Sequence, residues 1–134
     1  MASHFASLTD FIDKLSAESP GEWAGGERLP NGSVESGYVN YSHSVMEFLR
    51  TFYDFQKAHP EYDLTNYKEI LGNNNINWGA SDMRCANSDN LDDKCVLALI
   101  TAAIRADRFS EGALLGFLED GCIVRWLERM NAAE

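Results

Sequence analysis

The residues best suited to chemistry in this sequence lie in the segment IRADRFSEGALLGFLEDG at 104–121. Arg105 and Arg108 are three positions apart, so on a helix their guanidinium groups project near one another and can grip a phosphate or a carboxylate. The same segment has an architectural interpretation, in which the arginines stabilise the carbonyl groups at a helix end and Asp107 and Glu111 neutralise them. We favour the architectural interpretation and keep Arg105, Arg108 and Glu111 as candidate binding residues.

Aromatic side chains form the second set of candidate binding residues. Trp23 and Tyr38, together with Tyr41, flank a predicted turn and can line a ligand slot, because such rings combine an apolar face with a polar tip. Aromatic residues on a hairpin that packs over helices are more often part of the core. Trp78 lies among small polar residues, where it either contacts a partner or anchors the loop. Trp126 is expected either at a partner contact or at the outer wall of the helical core.

No motif assigns a catalytic group, a cofactor or a metal. Adjacent carboxylates such as Asp92 and Asp93 point in different directions on a helix, so they rarely share a substrate. The histidines lie far in sequence from the cysteines, and the three cysteines form no C-x-x-C pair that would predict a disulfide framework or a zinc site. Motifs of serine hydrolases, nucleotide-binding loops and zinc metalloproteases do not occur in the sequence. We therefore predict no catalytic residue, no cofactor and no metal, and we favour a protein that is not an enzyme.

The elements that position these residues begin with a short helix and a β-hairpin. Apolar residues recur at helical spacing over 8–15, and Ser7 with Asp10 has the spacing of a capping box. A proline–asparagine–glycine turn signal at 30–32 lies between two runs rich in aromatic and β-branched residues. This arrangement predicts a β-hairpin over 22–41.

The middle of the sequence predicts one long helix and one long loop. The segment 42–60 has an amphipathic pattern, with Ser42 or Ser44 as the N-cap and a His-Pro pair at its end. A short helix is predicted over 62–71. The stretch 72–90 is rich in Asn, Gly and Ser and predicts a loop, which at that length is uncommon unless it is functional or mobile.

The C-terminal part predicts the core. Asn90 is a candidate N-cap for a helix that is apolar on nearly every face, Ser110 can cap the next helix, and Gly121 can end it in the left-handed conformation. Three helices are predicted, over 91–104, 113–119 and 123–130. We therefore predict a single globular domain over 1–134 with an α+β, predominantly α-helical fold, in which about five helices pack with one β-hairpin.

The charge balance limits the classes of partner. The 134-residue chain carries 11 Lys and Arg against 21 Asp and Glu, a net charge of −10, which repels phosphate backbones and anionic lipids. Direct nucleic-acid binding and membrane binding are therefore disfavoured. The same charge attracts a basic protein surface, although many proteins are equally acidic for solubility alone. Because the sequence has no export signal at its start and no apolar run of about 18 residues, we predict a cytoplasmic protein.

Four segments carry a resemblance to a known group of proteins. They are WAGG at 23–26, YVNYS at 38–42, RADRFSEGAL at 105–114 and LEDGCIVRWLER at 118–129. With them the sequence resembles an uncharacterised family of small bacterial and phage or plasmid-borne proteins, defined only as a domain of unknown function. The resemblance covers about 22–129 and implies a bacterial or mobile-element setting. It implies no activity.

Two functions are compatible with these observations. The first is a small acidic intracellular binding protein that acts on a macromolecular partner, such as an anti-CRISPR-like inhibitor of host defence that occupies a basic nucleic-acid-binding protein by mimicry. The alternative is a small enzyme or small-molecule binder with a pocket around Arg105, Arg108 and Glu111 and the hairpin aromatics. We predict the first, with a protein partner.

Overall fold

The structure is a computed structural model that describes residues 5–17, 19–24, 30, 32, 37–86, 91–108, 110 and 112–132. It is mostly helical with one two-stranded antiparallel sheet, which confirms the predicted α+β, mainly α-helical fold. Short 3₁₀ turns, Pro60–Tyr62 and Leu64–Asn66, join the third helix to the fourth. In chain order the elements are α1 (Ala6–Thr9), α2 (Ile12–Ala17), β1 (Gly21–Ala24), β2 (Tyr38–Tyr41), α3 (His43–Ala58), α4 (Tyr67–Asn73), α5 (Ala80–Cys85), α6 (Asp93–Ala106), α7 (Ala113–Glu119) and α8 (Cys122–Ala132).

The described part has eight α-helical segments, whereas the sequence predicts about five. One reason is that the first predicted helix is split into α1 and α2. The N-cap of α1 is Phe5, which makes no side-chain cap bond, and Ser7 lies inside the helix. The capping box predicted for Ser7 and Asp10 is therefore wrong, and Asp10 instead ends α1.

A second reason is α5, which lies within the stretch 72–90 that the sequence predicts to be a loop. The loop prediction is wrong for Ala80–Cys85. Met83 is buried in this helix and belongs to the hydrophobic core. Among the side chains of α5 that the structure describes, Met83 is the one that is buried, and one such residue gives no periodic pattern that sequence reasoning can detect.

Helix α6 is the centre of the core, as its sequence predicts. Every side chain from Cys95 to Ala103 is buried, and the helix contacts α4, α7 and α8. The N-cap is Asp92, whose carboxylate accepts a hydrogen bond from the Cys95 backbone N–H at 2.9 Å. Asp92 thus occupies the N-cap position that was predicted for Asn90, and Asn90 itself lies outside the described residues.

Helix α3 lies against the core with one face. Ser42 is its N-cap and accepts from the Val45 backbone N–H at 3.2 Å, which decides between the two predicted serines. The apolar face carries Val45, Phe48, Phe52 and Phe55, all buried. The opposite face includes Met46 and Tyr53, which are large exposed side chains. This outward face is the part of α3 that is available for binding.

The two strands form the predicted hairpin. The register pairs Trp23 with Val39 and Gly21 with Tyr41 in antiparallel order. Successive side chains of a strand point to opposite faces, and Val39 is buried while its neighbour Asn40 is exposed. Most of the segment between the strands, including Asn31 of the predicted turn, lies outside the described residues.

The last two helices close the core. Gly121 separates α7 from α8 with a φ of +77°, the left-handed conformation predicted for it. Trp126 of α8 is fully buried, with its ring centroid 5.9 Å from that of Phe117. It therefore lies in the interior of the core and not at a partner contact. Its indole N–H has no hydrogen-bond partner in the part of the chain that the structure describes.

Candidate functional site

The charged segment 105–114 forms the junction between α6, α7 and the hairpin. Asp107 follows the last residue of α6, and both of its carboxylate oxygens accept hydrogen bonds. The Tyr41 hydroxyl donates to Oδ2 at 2.6 Å, and the Leu114 backbone N–H donates to Oδ1 at 2.9 Å. One carboxylate thus joins strand β2 to the end of α6 and the start of α7. The N-cap function predicted for Ser110 is wrong, since Asp107 supplies the capping oxygen for α7.

Gly112 provides a second contact between the junction and the hairpin. Its φ of +86° lies in the left-handed region, and a Cβ atom built there would be 2.2 Å from Cζ2 of Trp23. The indole ring therefore lies directly against the Gly112 backbone. Only a residue without a side chain permits both the backbone conformation and the close approach. Trp23 remains 57% exposed, so it covers the junction from outside and is not part of the core.

Three segments that are distant in sequence therefore meet at this junction. Trp23 comes from β1, Tyr41 from β2, and Asp107 with Gly112 from the turn between α6 and α7. They are three of the four segments that carry the family resemblance. Their contacts are architectural, because each one fixes an element against another.

Arg105 and Arg108, by contrast, line an open groove between α3 and the C-terminal end of α6. One part of this groove has a volume of about 70 Å³, and its other walls include Phe52, Tyr53 and Gln56. A second part, of about 350 Å³, shares Arg105, Tyr53 and Gln56 with the first. The two parts are therefore adjacent, and the name groove covers both. The second part extends to the turn after α3 and is also lined by Lys57, Pro60, Asp63, Leu64 and Thr65.

The groove has an excess of positive charge. Arg105, Arg108 and Lys57 line it, and Asp63 is the one carboxylate among its described lining residues. The Asp63 carboxylate already accepts a hydrogen bond from the Asn66 side-chain amide at 2.8 Å. The groove is therefore a local basic region on a chain whose net charge is −10.

Two other arginines of the chain, Arg84 and Arg129, are paired with carboxylates, and the two arginines of the groove differ from these. Arg84 pairs with Asp120 at 2.7 Å, and Arg129 with Asp93 at 3.4 Å. None of the described carboxylates forms an ion pair with Arg105 or Arg108. Asp107, which the architectural interpretation assigned to them, binds Tyr41 and Leu114. Within the described residues, neither guanidinium group is neutralised by a carboxylate.

Tyr53 and Gln56 of α3 are the residues of this groove that sequence reasoning missed. Tyr53 is 54% exposed, and the Lys57 ammonium lies 4.7 Å from its ring centroid. The sequence did contain a signal for Tyr53, since this large aromatic residue lies outside the apolar face of a strongly amphipathic helix. The sequence does not show that α6 presents Arg105 to that side of α3.

The other predicted binding residues lie elsewhere or cannot be placed. Trp78 is at the edge of exposure, and the Lys68 ammonium lies 4.3 Å from its ring centroid. Neither Trp78 nor Trp23 lines the groove. Glu111 and the side chain of Tyr38 lie outside the described residues. The structure therefore brings together Arg105 and Arg108 from the predicted set.

The cysteines whose side chains are described are buried and unsuited to nucleophilic chemistry. Burial, with a smaller contribution from the Asp92 carboxylate, raises the pKa of Cys95 to about 11. Burial is also the main cause that raises the pKa of Cys122. Both thiols are free and stay protonated at neutral pH.

Comparison with known proteins gives a family and no activity. No curated protein and no solved structure matches the chain. Within the described residues, no helix combines the length and the apolar composition needed to span a membrane. One family model matches residues 1–134, the whole sequence. The chain therefore belongs to that family, the Family of unknown function (DUF6508).

Proposed function

We propose that this protein is a binding protein that recognises an anionic group, a carboxylate or a phosphate, in the groove between α3 and α6. The observation that supports this proposal most directly is the pair Arg105 and Arg108. Both line the same groove, and neither is neutralised by a described carboxylate. A planar guanidinium group donates two parallel hydrogen bonds to a carboxylate or a phosphate, so two of them in one groove favour such a ligand.

The surroundings of the arginines support an anion further. Arg105 is half-buried, which lowers the local dielectric constant and strengthens its attraction for an opposite charge. Lys57 adds a third cation, and Gln56 and Tyr53 supply neutral hydrogen-bonding groups. The apolar walls of the smaller part of the groove, such as Phe52, accommodate a nonpolar group next to the anion.

Titration with small anions tests the proposal. Pyrophosphate and succinate serve as phosphate and carboxylate probes, and binding is measured by calorimetry and by NMR of the Arg side-chain Nε–H groups. We expect saturable binding of at least one probe, with an affinity that falls as salt is added. Arg105→Gln and Arg108→Gln each remove a charge and keep a polar side chain, so each should weaken binding at least tenfold.

Lys94→Gln is the matched control. Lys94 is an exposed cation on α6 as well, and it lies about 16 Å from Arg105 along the helix axis, at a rise of about 1.5 Å per residue. Removing this charge changes the net charge of the chain by the same amount without touching the groove. Equal loss of binding in Lys94→Gln and Arg105→Gln would mean that net charge alone attracts the probe, and absence of saturable binding to the unaltered protein would overturn the proposal.

The groove also changes the charge that we expect on the partner. The sequence analysis predicts a basic macromolecular partner from the net charge, whereas the groove suits a partner that presents carboxylates or phosphates. The basic partner, the bacterial or mobile-element setting and the role against host defence stay predictions. Affinity capture with the unaltered chain and with the Arg105→Gln/Arg108→Gln double variant separates the two. A partner lost only in the double variant supports the groove, and a partner retained by the double variant and released by salt supports an acidic surface.

A further inference from the structure

A second cavity lies away from the basic groove, where α5, the end of α6 and the start of α7 meet. Its volume is about 200 Å³. The residues that line it come from these three elements and from the loop before α5, and they include Trp78, Met83, Ala106, Ser110, Ala113 and Phe117. It shares no residue with the groove between α3 and α6. The cavity is thus a separate feature of the fold.

The floor of the cavity is fixed by contacts from outside it. Phe117 is buried, and the Arg84 guanidinium lies 5.0 Å from its ring centroid. Arg84 is itself held by the Asp120 carboxylate at 2.7 Å, and its backbone carbonyl accepts from Arg125 at 3.1 Å. These contacts tie α5 to α7 and α8. The cavity is therefore preformed on this side.

Trp78 forms the outer wall. It is 36% exposed, and the Lys68 ammonium lies 4.3 Å from its ring centroid. A large indole among small polar residues is a feature that the fold of the core does not require. Both this ring and the buried ring of Phe117 line the cavity.

The size and the charge of the cavity define its occupant. A cavity of roughly 150 Å³ with apolar walls binds benzene in an engineered protein, so a volume of about 200 Å³ accommodates one small ring system. None of the described lining residues is charged, so desolvating a charged ligand there costs more than desolvating a neutral one. The Ser110 hydroxyl and the Trp78 indole N–H are the polar side-chain groups of the described lining.

We propose that this cavity binds a neutral, planar aromatic molecule of one or two fused rings, in contact with Trp78 and Phe117. The walls supply apolar area and ring faces, and the absence of charge among the described lining residues selects against ionised analogues. This site is independent of the anion site, because the two share no lining residue. Binding at one should therefore persist when the other is removed.

Indole is the probe that tests the proposal, with indole-3-carboxylate as its charged counterpart. Saturation-transfer NMR and calorimetry measure binding to the whole chain. We expect saturable binding of indole and at least tenfold weaker binding of the carboxylate. The charged and neutral probes are compared on the unaltered protein, so this arm does not depend on whether a variant folds.

Two variants test whether indole binds in the cavity. Ala113→Leu fills the cavity with three further carbon atoms, and Trp78→Ala removes its outer wall, so each should weaken indole binding at least tenfold. Ala58→Leu makes the same enlargement at an exposed alanine of α3 and should leave binding unchanged. The proposal is overturned if indole does not saturate, if Ala113→Leu binds it as well as the unaltered chain does, or if Arg105→Gln abolishes binding.

Discussion

Within the short segment 105–108, neighbouring charged residues serve two different purposes. Asp107 makes two hydrogen bonds and joins the hairpin to the start of α7. Arg105 and Arg108, on either side of it in sequence, form no ion pair with a described carboxylate and line an open groove. Helix α6 ends at Ala106, and the turn that follows directs the Asp107 carboxylate to Tyr41 and Leu114. The end of the helix therefore separates an architectural carboxylate from two cations that line the groove.

The comparison shows why a charge cluster in a sequence resists one interpretation. The architectural and the binding interpretations of this segment exclude each other only if all its charges act together. In the structure they do not, because Asp107 bonds to Tyr41 and Leu114 and leaves the arginines without that carboxylate. In this segment, the Asp107 side chain stabilises the fold, and the side chains of Arg105 and Arg108 line the groove.

The largest effect is expected for Asp107→Ala, which tests the architectural half of the comparison. The substitution leaves the Tyr41 hydroxyl and the Leu114 N–H without their acceptor, so we expect the free energy of unfolding to fall by about 3 kcal/mol. Urea denaturation measures it. Asp107→Asn keeps one oxygen acceptor and should lose less. A fall of under about 1 kcal/mol for the alanine variant would show that this carboxylate does not hold the junction.

Gly112→Ala is expected to have the next largest effect, about 2 kcal/mol, because it combines left-handed backbone strain with a clash against Trp23. A double-mutant cycle with Trp23→Ala separates the two causes. In the Trp23→Ala background only the backbone strain remains, so the loss should drop to about 1 kcal/mol. An identical loss in both backgrounds would contradict the packing of the indole ring on Gly112.

Tyr41→Phe should lower the free energy of unfolding by about 1.5 kcal/mol, since it removes one hydrogen bond to a charged acceptor and keeps the ring. Tyr53→Phe is the matched control, because that ring is exposed on α3 and the loss of its hydroxyl should change stability little. Both are compared by urea denaturation. Equal stability of the two variants would show that the hydroxyl–carboxylate contact does not contribute to docking of the hairpin.

Sequence reasoning succeeded where the structure is decided by neighbours in the chain. The N-cap Ser42 acts three residues ahead in α3, and the left-handed Gly121 ends α7 by its own conformation. The apolar composition around 95–103 identifies a buried helix without any knowledge of its partners. Each of these features depends on a local sequence pattern or on the conformational freedom of one residue, and both can be read from the sequence.

It failed where a contact joins distant positions. Ser110 was the local choice of cap for α7, but the oxygen that caps it comes from Asp107, seven residues before Leu114. The same carboxylate also binds Tyr41, which lies 66 positions away. The pairing of a residue across the fold depends on how α6, α7 and the hairpin pack, and no periodic pattern records that.

The groove was half predictable for the same reason. The spacing of Arg105 and Arg108 predicts that their side chains lie near one another, which is a local property. Tyr53 and Gln56 come from α3, and only the packing of α3 against α6 brings them to the arginines. An exposed aromatic residue on an amphipathic helix indicates a candidate binding surface, but it does not show which other element forms the rest of the site.

The smallest effect on stability is expected for substitutions of the two arginines. This effect tests whether the arginines, unlike Asp107, contribute to binding and not to the stability of the fold. Arg108→Ala should change the free energy of unfolding by no more than about 0.5 kcal/mol, because an exposed side chain with no described ion pair is removed. Arg105→Ala should lose slightly more, since its half-buried carbon stem packs in the groove. Both alanine variants should nevertheless bind pyrophosphate more weakly than the unaltered protein does. If either variant were destabilised as strongly as Asp107→Ala, that arginine would belong to the architecture of the junction, and the groove would lose the group that makes it a site for anions.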